Sequence, residues 1–231
     1  MKNNKINILL AEDDINMGLI LQSFLIAKGF DVILARNGID ALALFKKNSA
    51  IDMAIVDVMM PEKDGFSLAA DLKSISPSLP LVFLTAKSMQ DDILRGFEIG
   101  ADDYITKPFS MEVLHARIIA LINRSIKIQP DSDKPISIGK LSFDFSRQTI
   151  TDGKENVKMT SKEAQLLKLL AENKNNITDR KLALDVIWGN DDYYSSRSMD
   201  VYITKLRKKL KMDKSIELIN IHGQGYKLMC D

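Results

Sequence analysis

The 231-residue sequence has a single cysteine, Cys230, so an intrachain disulfide is impossible and a reducing compartment is the simplest setting. No apolar run approaches the roughly 18 residues that a membrane-spanning helix needs. Near the N-terminus the apolar stretch Ile6 to Ala11 stops at Glu12-Asp13-Asp14, too short and too soon acidic for a secretory leader. A cytoplasmic protein without a membrane partner is the expectation. No internal repeat is visible. Neither a P-loop nor a Gly-x-Gly-x-x-Gly follows any predicted strand, which disfavours nucleotide-binding enzymes. Net charge is nearly absent at +1, which taken alone argues against nucleic acid.

That average conceals two unlike halves. Residues 1–124 carry 13 Lys+Arg against 16 Asp+Glu, net −3, whereas 125–231 carry 19 against 15, net +4. Within the second half, Arg197 to Lys211 holds six basic residues and one acid, a local basic patch. Apolar residues at 45% and charged residues at 27% are ordinary for a globular protein, and the length suits two small domains.

The first half alternates short apolar runs with longer amphipathic stretches. The runs are INILLA (6–11), DVILA (31–35), MAIVD (53–57), LVFLT (81–85) and DYIT (103–106). Strands that alternate with helices predict a parallel sheet covered on both sides, here an α/β unit of flavodoxin-like, doubly wound (βα)5 order. Periodicity stops across residues 125–135, where SIKIQPDSDKP has two prolines, two aspartates and two serines, the composition of a linker. Beyond it, 136–231 reads as extended runs (ISIGKLSFDF, then TITDGKENVKM with Asp152-Gly153 as a hairpin turn), three helical segments, and a closing hairpin around His222-Gly223-Gln224-Gly225. The boundaries are 1–124, a linker 125–135, and 136–231.

Asp57 ends the apolar run Met53-Ala54-Ile55-Val56, where an uncompensated carboxylate would be costly. Strand one ends at Glu12-Asp13, and the doubly wound order sets that strand beside strand three, so the three carboxylates converge. Convergent carboxylates repel, and a hard divalent cation such as Mg²⁺ relieves the repulsion through oxygen ligands. Thr85 supplies a hydroxyl beside the small Ala86, and Lys107 a cation that can pair with Asp57 or with a phosphoryl oxygen. Pro108 would hold that lysine in a rigid turn, a cis bond being one way. Carboxylate nucleophile, metal, hydroxyl and cation together are the equipment for receiving a phosphoryl group. Asp14 reads as a helix N-cap.

In the second half, Met199, Ile203, Leu206 and Leu210 fall at helical spacing on one stripe, and the opposite face carries Arg197, Val201, Thr204, Lys205, Lys208 and Lys211. A basic helix preceded by a helix pair and followed by a Gly-bearing hairpin has the order of a winged helix-turn-helix.

Glu12-Asp13, Asp57 with Met60-Pro61 and Asp64-Gly65, Thr85-Ala86 and Lys107-Pro108-Phe109 together resemble the receiver domain of two-component response regulators. Residues 136–231 resemble the effector domain of the OmpR/PhoB subfamily in Thr160-Ser161-Lys162-Glu163-Ala164, Val186-Ile187-Trp188-Gly189, Arg197-Ser198-Met199-Asp200-Val201, Leu206-Arg207-Lys208-Lys209-Leu210 and Gly223-Gln224-Gly225-Tyr226. The resemblance implies phosphorylation of Asp57 by a cognate sensor histidine kinase. It also implies Mg²⁺ held by Asp13, Asp57 and the Met59 carbonyl with Glu12 acting through water, and a switch pair of Thr85 and Tyr104. On double-stranded DNA, Val201 and Lys205 would approach base edges and Arg197 and Arg207 phosphates, while Thr204 and Lys208 share their face. Where the subfamily usually has Arg before the wing's Gly-x-Gly, this chain has His222, a weaker grip at neutral pH. The implied homodimer face would pair Asp103 with Arg117 and Asp102 with Arg124, and a third pair falls on uncharged Ile93 and Val113. RNA polymerase is a further implied partner. Two rivals stand beside this reading. One is an aspartyl phosphohydrolase, for which the second Asp of an Asp-x-Asp is missing at Met59. The other is a DNA-binding protein whose first domain only dimerises.

Overall fold

The computed structural model describes residues 5–48, 50–86, 90–126, 134–188 and 193–230. The chain divides into two compact units, Met1–Ser125 and Ile126–Asp231. In the first, β1 (Asn7–Ala11), β2 (Asp31–Ala35), β3 (Met53–Asp57), β4 (Leu81–Thr85) and β5 (Asp103–Thr106) alternate with α1 (Ile15–Ala27), α2 (Gly38–Lys47), α3 (Gly65–Ile75), α4 (Gln90–Ile99) and α5 (Met111–Ile126). The sheet order is β2-β1-β3-β4-β5, and every pairing is parallel.

The apolar runs lack alternation because both faces of the sheet are covered. On β1, Ile8 and Leu10 pack with Leu21 and Leu25 of α1 and Leu114, Ile118 and Leu121 of α5. Their neighbours Leu9 and Ala11 turn to the other side, with Ala41 of α2 and Phe66, Leu68 and Leu72 of α3. Each fully buried leucine or isoleucine contributes roughly 1.5–3 kcal/mol. This double layer therefore anchors the strand ends that carry the polar residues. Asp14 caps α1 by accepting from the Met17 N–H at 2.8 Å.

The second unit opens with a four-stranded antiparallel sheet, β6 (Ile136–Ile138), β7 (Leu141–Asp144), β8 (Thr149–Thr151) and β9 (Asn156–Lys158). There follow α6 (Ser161–Glu172), β10 (Ile177–Asp179), α7 (Arg180–Trp188), α8 (Tyr193–Leu210), β11 (Glu217–Ile221) and β12 (Gly225–Met229). Strands β10, β12 and β11 form a second antiparallel sheet, so the closing hairpin acquires a third strand that the sequence reading did not find. Three residues are too few to show a period. Thr160 caps α6 in a capping box with Glu163, whose Oε2 accepts from the Thr160 N–H at 2.7 Å. The core-facing stripe of α8 is as spaced: Met199, Ile203, Leu206 and Leu210 are all buried, with Tyr202 beside them. Trp188 packs on Tyr202 with ring centroids 5.8 Å apart and lies beneath the Lys162 ammonium.

Candidate functional sites

At the carboxyl edge of the parallel sheet, β1 and β3 lie side by side, which brings Glu12, Asp13 and Asp57 together. Their carboxylate oxygens come within 4.8 Å of one another. Glu12 and Asp57 are buried and Asp13 is accessible to solvent. Lys107, just beyond β5, reaches back to this edge. Its Nζ donates to Asp57 Oδ2 at 2.6 Å and to Glu12 Oε2 at 2.7 Å. The peptide bond joining it to Pro108 is cis. The remaining Asp57 oxygen, Oδ1, accepts from the Met59 N–H at 3.0 Å.

Three acids and one lysine leave the cluster under-neutralised, and Glu12 shows it. Burial raises its pKa to about 7; hydrogen bonding to Lys107 pulls the other way and the Asp57 charge adds to the rise. Its Oε1 is enclosed without a hydrogen-bond partner. Burial alone would lower the pKa of Lys107, but its bonds to Asp57 and Glu12 and their charges outweigh that and raise it. An orphaned buried carboxylate oxygen beside two further carboxylates fits the oxygen chemistry of a hard divalent cation.

Glycine is required at one position here. A Cβ at Gly65 would stand 2.1 Å from the Asp57 carbonyl oxygen, so the Asp64-Gly65 pair lets α3 begin directly against the end of β3. Asp64 caps that helix through the Ser67 N–H at 2.8 Å.

Thr85 is fully buried at the end of β4, with its carbonyl accepting from the Lys107 N–H at 2.7 Å. Tyr104 on β5 stacks at a tilt on Phe83, 5.8 Å between centroids. Burial pushes its hydroxyl up to about 12, partly countered by the nearby Thr85 hydroxyl. The tyrosine oxygen is enclosed and makes no hydrogen bond of full geometry.

The residues expected at a dimer face are placed unequally. Arg117 binds Asp103 with both distances short, 2.8 and 3.0 Å, within one chain. Asp102 is 3% exposed and is held by Lys73 Nζ at 3.1 Å and the Leu81 N–H at 3.0 Å, partners the sequence reading missed because 29 residues separate aspartate and lysine. Val113 is exposed. The side chains of Ile93, Arg124 and Arg197 lie outside the described residues, as do residues 127–133 of the expected linker.

In the second unit α8 turns its polar face outward. Thr204 and Lys208 are exposed, and Val201 and Lys205 are half-buried. The Lys205 ammonium stands 5.0 Å above the Tyr202 ring. Arg207 turns toward the closing hairpin instead, donating from Nε to the Leu218 carbonyl at 2.8 Å and from Nη2 to Asn220 Oδ1 at 2.7 Å. His222 is exposed in the turn between β11 and β12.

The chain matches the family described as response regulator receiver domain over residues 8–119, and the family described as transcriptional regulatory protein, C terminal, over residues 153–228. It is 50% identical over 225 residues to the transcriptional regulatory protein RprY of Bacteroides fragilis, covering 97% of this chain and 95% of that one. The chain is a response regulator of the OmpR/PhoB type. The response regulator is also 32% identical to the transcriptional regulatory protein TrcR of Mycobacterium tuberculosis, over 96% of its length and 86% of TrcR. Among solved structures, a point mutant of RitR aligns with a TM-score of 0.77 at 25% identity, covering 98% of the regulator and all of that chain. The regulator thus joins a flavodoxin-like receiver to a winged-helix DNA-binding domain and acts in the control of transcription. Both of these relatives, RprY and TrcR, are transcriptional regulatory proteins. Among the described residues no helix is long and apolar enough to cross a membrane.

Proposed function

We propose that the regulator accepts a phosphoryl group on Asp57 from a cognate sensor histidine kinase in the cytoplasm, dimerises, and so binds specific promoters. One observation carries this: Asp57 is buried at a strand end with one oxygen on the Lys107 ammonium and two further carboxylates within 4.8 Å. In the transfer, an Asp57 oxygen forms a bond to phosphorus as the bond from phosphorus to the kinase's imidazole nitrogen breaks, and that nitrogen keeps the electron pair. Asp57 ends as an acyl phosphate. Lys107 would neutralise the incoming oxygens as a point charge, and Thr85, next to the site, would donate its hydroxyl to one of them. Asp13, Asp57 and the Met59 carbonyl are the residues to hold Mg²⁺, with Glu12 acting through water. When bound, that ion supplies charge neutralisation for the phosphoryl group. The chain is itself the acceptor, so it turns over no outside substrate.

Inward packing of Tyr104 against Phe83 and toward Thr85 supports the reading of these two as the switch that links Asp57 to the face of α4, β5 and α5. Val113, Asp103 and Arg117, with Ile93 and Arg124, form that face in the proposed homodimer. Asp102 supports the fold from inside. Two receivers that meet would bring their two DNA domains to adjacent half-sites, raising the effective concentration of the second. On DNA, Val201, Thr204 and Lys205 would face bases. Arg197, Arg207, Lys208 and His222 would hold the backbone or minor groove, and RNA polymerase is the partner downstream.

The test is mass spectrometry after incubation with acetyl phosphate and Mg²⁺, which should add a single phosphoryl group. The adduct should vanish in Asp57→Ala and on addition of EDTA. An adduct that survives in Asp57→Ala overturns the assignment, and one indifferent to EDTA removes the metal.

A further inference from the structure

The hairpin β11–β12 is tied to the two preceding helices at one carboxylate, Asp200 of α8. Arg180, the first residue of α7, binds it with two nitrogens, Nη1 to Oδ1 at 2.9 Å and Nη2 to Oδ2 at 3.2 Å. Tyr226 of β12 donates its hydroxyl to the same Oδ1 at 2.7 Å, and Arg180 also donates to that hydroxyl. Burial, and then the bond to Asp200, push the Tyr226 hydroxyl up to about 12, so it remains a donor throughout the physiological range. The backbone adds a further tie: the Arg180 N–H donates to the Gln224 carbonyl at 3.0 Å. A Cβ at Gly225 would lie 2.1 Å from the Thr178 carbonyl oxygen, so β12 crosses the end of β10 at a distance that only glycine allows.

Stability does not explain this tripod. The Asp200 and Arg180 side chains are 55% and 34% exposed, and ion pairs that open to water add little to folding. The hairpin is already held by the β10–β12 ladder and by the buried Leu218 and Leu228. Nor is the charge convenient. Asp200 is the one acid among six basic residues from Arg197 to Lys211, on the helix that would meet phosphates. Arg180, at the start of α7 where Asp179 accepts from the Leu182 N–H at 2.8 Å, supplies the countercharge to Asp200. Their shared geometry reaches the reading face, since the Thr204 hydroxyl donates to the Asp200 carbonyl at 2.9 Å and Val201 follows Asp200 directly.

We propose that Asp200 is a positioning residue for DNA recognition: with Arg180 and Tyr226 it fixes the wing hairpin at a set distance from the α8 face that carries Val201, Thr204 and Lys205. It does so without touching DNA. The proposal rests on the reading of α8 and the hairpin as the DNA-reading elements.

Tyr226→Phe tests it without changing charge, and Asp200→Asn is the second variant. The probe is a duplex selected by the full-length wild-type protein from a random-sequence pool. In both variants the hydroxyl-radical footprint under α8 should persist while flanking protection by the wing fades, with affinity lower by about tenfold. In the free proteins, amide exchange across Gly223 to Tyr226 should quicken. Unchanged footprints and exchange overturn the proposal. So does a uniform loss of the whole footprint that tracks a lower Tm, since that marks a merely structural contact. Failure of the wild type to select any sequence is a separate result that overturns the DNA reading itself.

Discussion

Glu12 is the residue at which the chemistry of the site is most exposed to measurement. Its pKa is raised from 4.5 to about 7, mainly by burial, so folding favours its protonated form. The stability it contributes is complete below 4.5 and is lost as pH rises through about 7. Without metal, the receiver should therefore lose stability across that window and, as far as this group is concerned, no further above it. A divalent cation needs the ionised carboxylates, so the apparent affinity for Mg²⁺ should climb over the same range and level off above it. Titration of Mg²⁺ at a series of pH values, followed by Tm, checks both, and Glu12→Gln should flatten the two profiles together. A profile in Glu12→Gln as steep as that of the wild type would assign the titration elsewhere. Much of this site is legible in the letters, because a carboxylate at the end of an apolar run calls for compensation and Lys107, Glu12 and Asp13 stand at the other strand ends. What the letters do not carry is the sharing of Lys107 between Asp57 and Glu12, or the Lys73–Asp102 pair, since both depend on packing between residues 29 or more apart.

Elements were readable where a period runs long enough. Four of the five receiver strands begin and end where the apolar runs do, and β1 is one residue shorter. Strand β10 escapes because three residues next to a helix start have no period of their own. α8 begins at Tyr193, six residues ahead of Met199 where the apolar stripe starts, because its opening turns add no residue to that stripe. Two helices carry predictions. On α1, Ile15, Leu19 and Ile26 are exposed and lie within about 40° on the helix, beside the acidic cluster. An apolar stripe there suits contact with a phosphodonor protein. Ile15→Asp with Leu19→Asp should slow phosphorylation by the cognate kinase at least tenfold and leave acetyl phosphate labelling unchanged; equal loss with both donors would place the damage in the site itself. On α8, Lys205→Ala should cost roughly 1–3 kcal/mol on a selected duplex and relax preference at one base pair. Arg207→Ala should weaken binding to all sequences and lower the salt slope by about one, with a lower Tm because its ties to Leu218 and Asn220 go too. A lower Tm with the slope intact would confine Arg207 to holding the hairpin.

For the whole molecule, the proposed output requires two receivers to meet, and the charges on the proposed face decide how that meeting would respond to salt. Asp102 is committed inside its own chain, to Lys73 and to the Leu81 N–H, so it cannot serve a partner without unburying an ion pair. Val113 is uncharged and exposed, and Ile93 is uncharged as well. This leaves Asp103 and Arg117 as the charged pair able to exchange across a two-fold axis. Two symmetric surface pairs at about half a kcal/mol each amount to roughly fivefold in the dimer dissociation constant. Raising ionic strength from about 0.1 to 1 M shortens the screening length from roughly 10 to 3 Å and should remove no more than that, while apolar contact at Val113 is spared. Sedimentation of the phosphorylated protein across that range should therefore show a shallow dependence. Val113→Asp should weaken the dimer more than salt does, and Asp102→Asn should lower the Tm of the monomer before it touches association. A hundredfold loss with salt would mean that ion pairs dominate the interface and that the receivers meet through another face.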